Sequence, residues 1–339
     1  MHYGTQGRHT PEYKRKTWAL VQSALRYFPE GFFIFSAQFK TMRNLFIILL
    51  FLLISIPSFA QEDYTWWNQI HGWEPGMPGW RNWMKISPAY LGPNALPVPE
   101  IKRGFLSKES EIRLTVSGHF HSGDPTQDLS GSAYIPFANG KIAVEMYGVI
   151  VEHYNYTEEI RDERISRDRN GKGIAFGDLY FSTMIQLIKD RKFPNTLLRV
   201  ALRTASGGNL EAARYSDSPG YFMDLSFSKD FKKEDVILFR PVAMIGFYSW
   251  QTNDELNLQN DALLYGLGAD LERNNWRFTS TCSGYYGYKN NGDRPVQLNF
   301  DLRKDCSKTA FKIGYQHGLH DWLYKTVRFS FIWKLNPVL

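Results

Sequence analysis

Val327-Arg328-Phe329-Ser330-Phe331-Ile332-Trp333-Lys334-Leu335 places Val327, Phe329, Phe331, Trp333 and Leu335 on one face of an extended chain and Arg328, Ser330 and Lys334 on the other. A period of two is that of a β-strand, whose side chains alternate across the sheet. The same alternation runs back through Val296, Leu298, Phe300 and Leu302 against Gln297, Asn299, Asp301 and Arg303, and through Leu198, Val200 and Leu202 against Arg199, Ala201 and Arg203. Twelve strand-like runs follow one another: 111–122, 127–138, 141–156, 173–188, 195–206, 220–231, 236–251, 260–273, 275–288, 294–306, 309–322 and 324–335. No window of similar length has a helical period.

The connections alternate as well. Those at Asn139-Gly140, 189–194, 232–235, Asn274 and Ser307-Lys308 are tight, whereas 157–172, 207–219 and 252–259 are longer and polar. Short turns on one rim and long loops on the other are the layout of a bacterial outer-membrane barrel, with short turns and both termini on the periplasmic side. The fold class expected is therefore all-β: a transmembrane, antiparallel, up-and-down barrel of about twelve strands, with ten to fourteen as the bounds. A soluble β-sandwich would also alternate. Its strands are usually shorter, and it would not collect aromatics at strand ends, as Tyr285, Tyr286, Tyr288, Tyr248, Trp250, Trp322 and Tyr324 do here.

Composition agrees. Of 339 residues, 43% are apolar, 16% aromatic and 22% charged, with two cysteines, which excludes a disordered tail, a collagen and a disulfide miniprotein. A mean hydropathy of -0.38 excludes a bundle of membrane helices but not a barrel with a polar lumen. The net charge of +6 is misleading: residues 1–60 hold seven Lys/Arg and two Asp/Glu, so the remainder is nearly neutral and a nucleic-acid partner is not implied. Within that first stretch Leu45–Ile56 is an apolar run behind Met42-Arg43-Asn44, with Ser58 and Ala60 at −3 and −1 of a cleavage site. Residues 42–60 read as a signal peptide, since twelve apolar residues are too few for a helix across roughly 30 Å. Residues 1–41 then read as a non-native upstream extension. Residues 61–110 carry Trp66, Trp67, Trp73, Trp80 and Trp83 with six prolines, and read as an irregular segment in the lumen or on the periplasmic side. Residues 111–339 are the barrel.

Gly173-Ile-Ala-Phe-Gly-Asp-Leu and Arg203-Thr-Ala-Ser-Gly-Gly resemble the glycine-aspartate strand and the Thr/Ser-Gly strand end of the phenol meta-pathway transporter family of outer-membrane barrels. The likeness covers about 60 residues, and alanine stands where that family has a proline before Thr/Ser-Gly. It implies transport of small solutes, without naming one.

On the polar faces Asp178, Arg199, Arg203, Asp224, Arg240, Glu272, Arg277, Asp301 and Arg328 are expected to line the lumen, with Glu272 opposite Arg277 across the Asn274 turn. Two readings fit them: a structural charge network, or a pore wall that Arg199, Arg203 and Arg240 make locally positive. His119 and His121 share a face and are weak metal-ligand candidates with no third ligand at a suitable spacing. Ser117 with His119, and His317 and His320 with Asp321, are loose candidates for a lipid hydrolase, without any nucleophile signature. Loop 157–172, dense in both charge signs, reads as solvated. Cys282 is expected beside Asp301 and far from Cys306, so both thiols are free. No cofactor motif is present. The expectation is a narrow channel or transporter for small solutes in outer-membrane lipid, with a membrane-embedded hydrolase or a purely structural barrel as alternatives.

Overall fold

In the computed structural model, which describes residues 63–233 and 237–335, the chain from Tyr64 onward forms one compact unit. Among the described residues the strands are β1 (Ser110–Phe120), β2 (Thr126–Phe137), β3 (Ile142–Asn155), β4 (Lys172–Ala175), β5 (Leu179–Ile188), β6 (Asn195–Arg203), β7 (Gly220–Ser228), β8 (Phe231–Lys233), β9 (Ile237–Gln251), β10 (Gln259–Arg273), β11 (Trp276–Gly287), β12 (Val296–Asp305), β13 (Thr309–His320) and β14 (Lys325–Leu335). Twelve of them pair antiparallel with sequence neighbours, and β1 pairs β14 from Ser110↔Leu335 to Phe120↔Lys325, so the sheet closes on itself. A closed ring is a barrel and not a sandwich. The short β4 and β8 only prolong β3 and β9 beyond it.

Period two explains the wall. Outward-facing residues such as Val116, Phe181, Leu202, Met223, Leu267, Ile313 and Phe329 stay 45–68% exposed, while the inward Arg199, Asp224, Asp270 and Ser330 are about 1% exposed. That is a soluble protein's polarity turned inside out. Tight turns close one rim; at Asn274 and Asn275 both residues take left-handed backbone (φ 49° and 64°), the conformation that matches strand twist in a two-residue hairpin. At the opposite rim lie the longer loops, one of which carries helix α2 (Glu158–Glu163).

The N-terminal side of the reading needs correcting. Residues 1–41 and the expected signal peptide at 42–60 lie outside the described residues, and among the described residues no helix is long and apolar enough to cross a membrane. Nor is 61–110 simply irregular. Its prolines start at Pro75, which leaves Thr65–His71 free to coil into helix α1, closed by Gly72 in left-handed backbone (φ 66°). Trp80–Trp83 make a 3-10 turn. From there the proline-rich chain runs through the lumen as a strap, from the long-loop rim to the short-turn rim where β1 begins. Tyr64 donates to Glu211 in a long loop, Trp67 to Ile165 O, and at the far end Gln186 Nε2 donates to Gly104 O. The described chain thus starts at the long-loop rim, opposite to the side expected for the N-terminus.

Smaller corrections follow from loop geometry. The fourth run breaks at 176–178, giving β4 and β5. Cys282 pairs in register with Leu298 and not Asp301, because loop 288–295 takes up residues assigned to strand; both cysteines are free and exposed.

Gly318 makes the last long-rim turn possible. Its N–H donates to Tyr324 O at 2.9 Å, and a Cβ there would lie 1.6 Å from Trp322 O. Gly318→Ala should therefore destabilise the barrel by about 1–3 kcal/mol, the usual cost of overpacking. Gly208→Ala, where a Cβ meets nothing within 4 Å, should leave the urea unfolding midpoint of the folded protein unchanged.

Candidate functional site

The lumen is the site, and the strap divides it. Because prolines deny the strap a regular ladder of its own, its carbonyls are free to accept bonds from the wall. Trp250 Nε1 donates to Ile86 O at 3.0 Å, Trp322 Nε1 to Pro93 O at 3.0 Å and Tyr285 OH to Leu96 O at 2.8 Å. Two arginines do the same, Arg203 to Ala95 O at 3.0 Å and Arg199 to Glu100 O at 2.9 Å.

The residues singled out from sequence fall into three groups around this strap. Arg199 and Asp224 are register partners joined at 2.6 Å, and Arg203 lies 3.3 Å from Asp178; all four are almost fully buried. Near the short-turn rim Arg240 bonds Glu272 at 2.7 Å and Asp230 at 2.6 Å, with its guanidinium over the strap's Phe105. Arg277 sits opposite Glu272 at 3.8 Å, and the strap's Arg103 reaches the same carboxylate at 3.2 Å. Asp301 and Arg328 stand apart from both, near Lys312. Arg199, Arg203 and Arg240 are thus each neutralised by a carboxylate and covered by the strap, and do not form a free positive wall.

His119 faces inward, with Nε2 2.6 Å from Asp128 Oδ2 and Nδ1 2.8 Å from Thr326 Oγ1. Both nitrogens are taken. His121 lies past the end of β1 against Tyr324, and the described residues contain no group of three or more side chains suited to a metal. Thr326, His119 and Asp128 are ordered as a hydroxyl, an imidazole and a carboxylate, but Thr326 is fully buried. His317 bonds Tyr315 OH, and His320 bonds Arg294 O and lies 3.3 Å from Asp321; among the described residues neither histidine bonds a serine.

Sequence reasoning missed the cluster under the long loops. Asp124 lies 2.7 Å from Arg164 and 3.0 Å from Arg214, and Tyr324 OH donates to it. Arg214 continues to Glu152 at 2.7 Å, which also accepts from the strap's Asn94 at 2.7 Å. Gly92 lets the strap pass this arginine, since a Cβ would meet the guanidinium at 2.8 Å. Loop 157–172 is accordingly not a solvated loop: Arg161, Arg164 and Ser166 are buried, and Arg167 stacks over Tyr64 and Trp80. The signal was there in Ile160 and Ile165, spaced among the charges, and in the tryptophans that needed a partner.

Between strap and wall lie two cavities, each lined by both polar and apolar surface. One, of about 270 Å³, opens against β1, β2 and β11–β14. The other, of about 170 Å³, lies toward the short-turn rim beside Arg103, Phe105 and Arg303. Both are bounded by Glu100, Lys102, Glu145, Asp301 and Lys312.

No family model and no curated protein matches the chain, so its resemblance to the phenol meta-pathway transporters gains no support. Solved structures similar to it include the KdgM porin, at 8% identity and a TM-score of 0.41 over 66% of this chain and 99% of that one. The beta domain of the Bordetella autotransporter BrkA is similar at 10% and 0.41, over 68% and 100%. An outer-membrane channel from Pseudomonas putida F1 is similar at 9% and 0.38, over 71% and 97%. The chain is a twelve-stranded antiparallel barrel. At these identities and scores the likenesses say nothing about what it does.

Burial alone would raise the Asp124 carboxyl, but Arg214, Arg164 and the Tyr324 hydroxyl hold it well below the usual carboxylate range. A carboxyl whose pKa is lowered on folding gives its full stabilisation above about pH 4 and loses it as the pH falls further. Asp124→Asn should therefore be less stable than the parent at pH 7, and the gap should narrow below pH 4. Urea unfolding at pH 7 and pH 3 measures both.

Proposed function

We propose that this chain is an outer-membrane barrel that passes small solutes through a lumen kept closed by its own strap. The exposed apolar outer face supports the membrane placement: such a band is costly in water and is what lipid requires. The transport reading rests on one observation, the pair of cavities that meet at the strap's Glu100–Lys102 waist. A structural barrel has no need of open space at its centre, whereas a solute path needs it on both sides of a gate. At the waist Lys102 bonds Glu145 at 2.9 Å and Lys312 lies 3.6 Å from Glu100, so the gate is held by wall–strap ion pairs. The Lys102–Glu145 pair is the more buried of the two and is poorly screened, so moving the strap has to break it.

The hydrolase alternative has no support among the described residues, because both nitrogens of His119 are bonded, to Asp128 and to the fully buried Thr326, and neither His317 nor His320 bonds a nucleophile.

Purified protein in planar bilayers tests the reading. The whole chain should conduct little, and a deletion of residues 64–100 that still migrates as a folded, heat-modifiable barrel should conduct at least tenfold more. No conductance from the folded deletion variant would end the transport reading. The membrane placement has its own test on β14: Phe329, 53% exposed, should tolerate Leu, while Phe329→Arg should cost about 2–4 kcal/mol if it lies near the bilayer midplane. Unfolding of the two variants in lipid vesicles separates them.

A further inference from the structure

The larger cavity has a lining that specifies its occupant. Its charged side chains are five carboxylates (Glu100, Asp128, Glu145, Asp178 and Asp301) and five cations (Lys102, Arg113, Arg199, Lys312 and Arg328), so neither an anion nor a cation finds a net field there. The rest of the polar lining is hydroxyl and amide, from Thr115, Ser117 and Ser130 on one side to Asn299, Gln316 and Ser330 on the other. Trp322 and Tyr147 add aromatic rings, and the strap adds Pro93, Pro97 and Pro99.

Four buried atoms of this lining have no hydrogen-bond partner among the described residues: Tyr180 OH and three charged atoms, Asp128 Oδ1, Asp301 Oδ1 and Arg328 Nε, although Asp301 Oδ1 lies 3.7 Å from Arg328 Nη2 as an ion pair. The Asp128 side chain is only 2% exposed. Buried polar atoms of this kind are rarely left unpaired, and each one calls for a ligand group. The placement of the three charged atoms follows from the register. Asp128 pairs with Ser117, Ser117 with Arg328, Arg328 with Gly314 and Gly314 with Asp301, a single row across β2, β1, β14, β13 and β12. At about 4.8 Å per strand the row is roughly 19 Å long. Gly314 is the bare position in it, and the space a Cβ would take is occupied by Asp301 Oδ1 and flanked by Arg328 Nε at 3.4 Å. The row therefore presents two acceptors and one donor, spread along a wall without net charge.

We propose that this row binds an uncharged sugar, one or a few residues long. A sugar hydroxyl both donates and accepts, so one chemistry satisfies the carboxylate oxygens and the guanidinium nitrogen alike. Its C–H faces suit the Trp322 and Tyr147 rings. A carboxylated sugar would bring Asp128 and Asp301 a like charge, and an apolar aromatic solute would leave all three charged atoms unpaired. Ordered water is the competing occupant, since it too donates and accepts. The proposal deepens the transport reading by naming a solute class, but binding can be measured without passage.

Isothermal titration of the whole chain in detergent, with maltotriose and glucose as probes, tests it. Glucuronate, glucosamine and toluene serve as comparisons. Maltotriose should bind, and bind at least tenfold more tightly than the charged and apolar solutes. Ser117→Leu, which puts an apolar side chain into the row between Asp128 and Arg328, should abolish binding. Should that variant fail to fold, Arg328→Lys keeps the charge, removes the Nε donor and should weaken binding about three- to tenfold, the worth of one hydrogen bond. No heat with maltotriose from folded protein means that water alone fills the row and overturns the proposal. Tighter binding of glucuronate or toluene overturns it as well. A conducting strap-deletion variant together with a whole chain that ignores sugars would leave transport standing and remove the sugar. Sugar binding without conductance would do the reverse.

Discussion

A barrel that buries arginines must find acceptors for them, and here the acceptors come from a chain that cannot use its own. Five donors of the wall, Trp250, Trp322, Tyr285, Arg203 and Arg199, end on strap carbonyls between Ile86 and Glu100. Prolines at 88, 93, 97 and 99 keep that stretch out of helix and sheet and so keep those carbonyls available. Everything else in the lumen is arranged around this exchange. Arg199 divides its donors between Asp224 on the wall and the Glu100 carbonyl of the strap, whereas Arg203 sends Nη1 alone to Asp178, Ser216 and the Ala95 carbonyl, and its Nε and Nη2 have no hydrogen-bond partner among the described residues. Buried ion pairs of this sort add little net stability over apolar packing, but losing one partner leaves a charge stranded. The strap is thus held by the cost of its absence more than by the strength of any contact.

Much of the wall was legible because a strand's period of two is a local property. Val327 to Leu335 alternates whatever its neighbours do, and β14 runs from Lys325 to Leu335. Which charges face inward follows from the same count. What they touch does not. Arg199 reads as a pore charge on its own, and becomes a strap anchor only because residue 100 passes beside it, 99 positions earlier in sequence. Distances of that kind leave no periodic trace. Loop 157–172 misled for a related reason: a run of both charge signs is solvated on a bare rim, but tryptophans from 66 to 80 cover this one, and Arg161 and Arg167 lie over Trp66 and Trp80. The register of Cys282 failed by a few residues, because alternation does not record how long a loop is.

Polarity is partitioned along the bore. Near the long-loop rim the interior is an ion-paired and aromatic plug, Asp124, Arg164 and Arg214 under Tyr324. Near the short-turn rim a second charge cluster gathers about Phe105. Between them lies the larger cavity, whose lining on β1, β2 and β11–β14 adds hydroxyls and amides to the charged side chains.

The strap runs through a ring that is shut by pairing β1 with β14. Its long-rim end carries Trp67 and Trp83 packed edge to face, with Trp80 under Arg167, a mass far wider than the chain that follows it. The strand that completes the ring pairs with the strand that directly follows the strap, so one ladder both closes the wall and encircles a part of the same chain. Closing the wall and seating the strap are thereby coupled, a link that no single contact encodes.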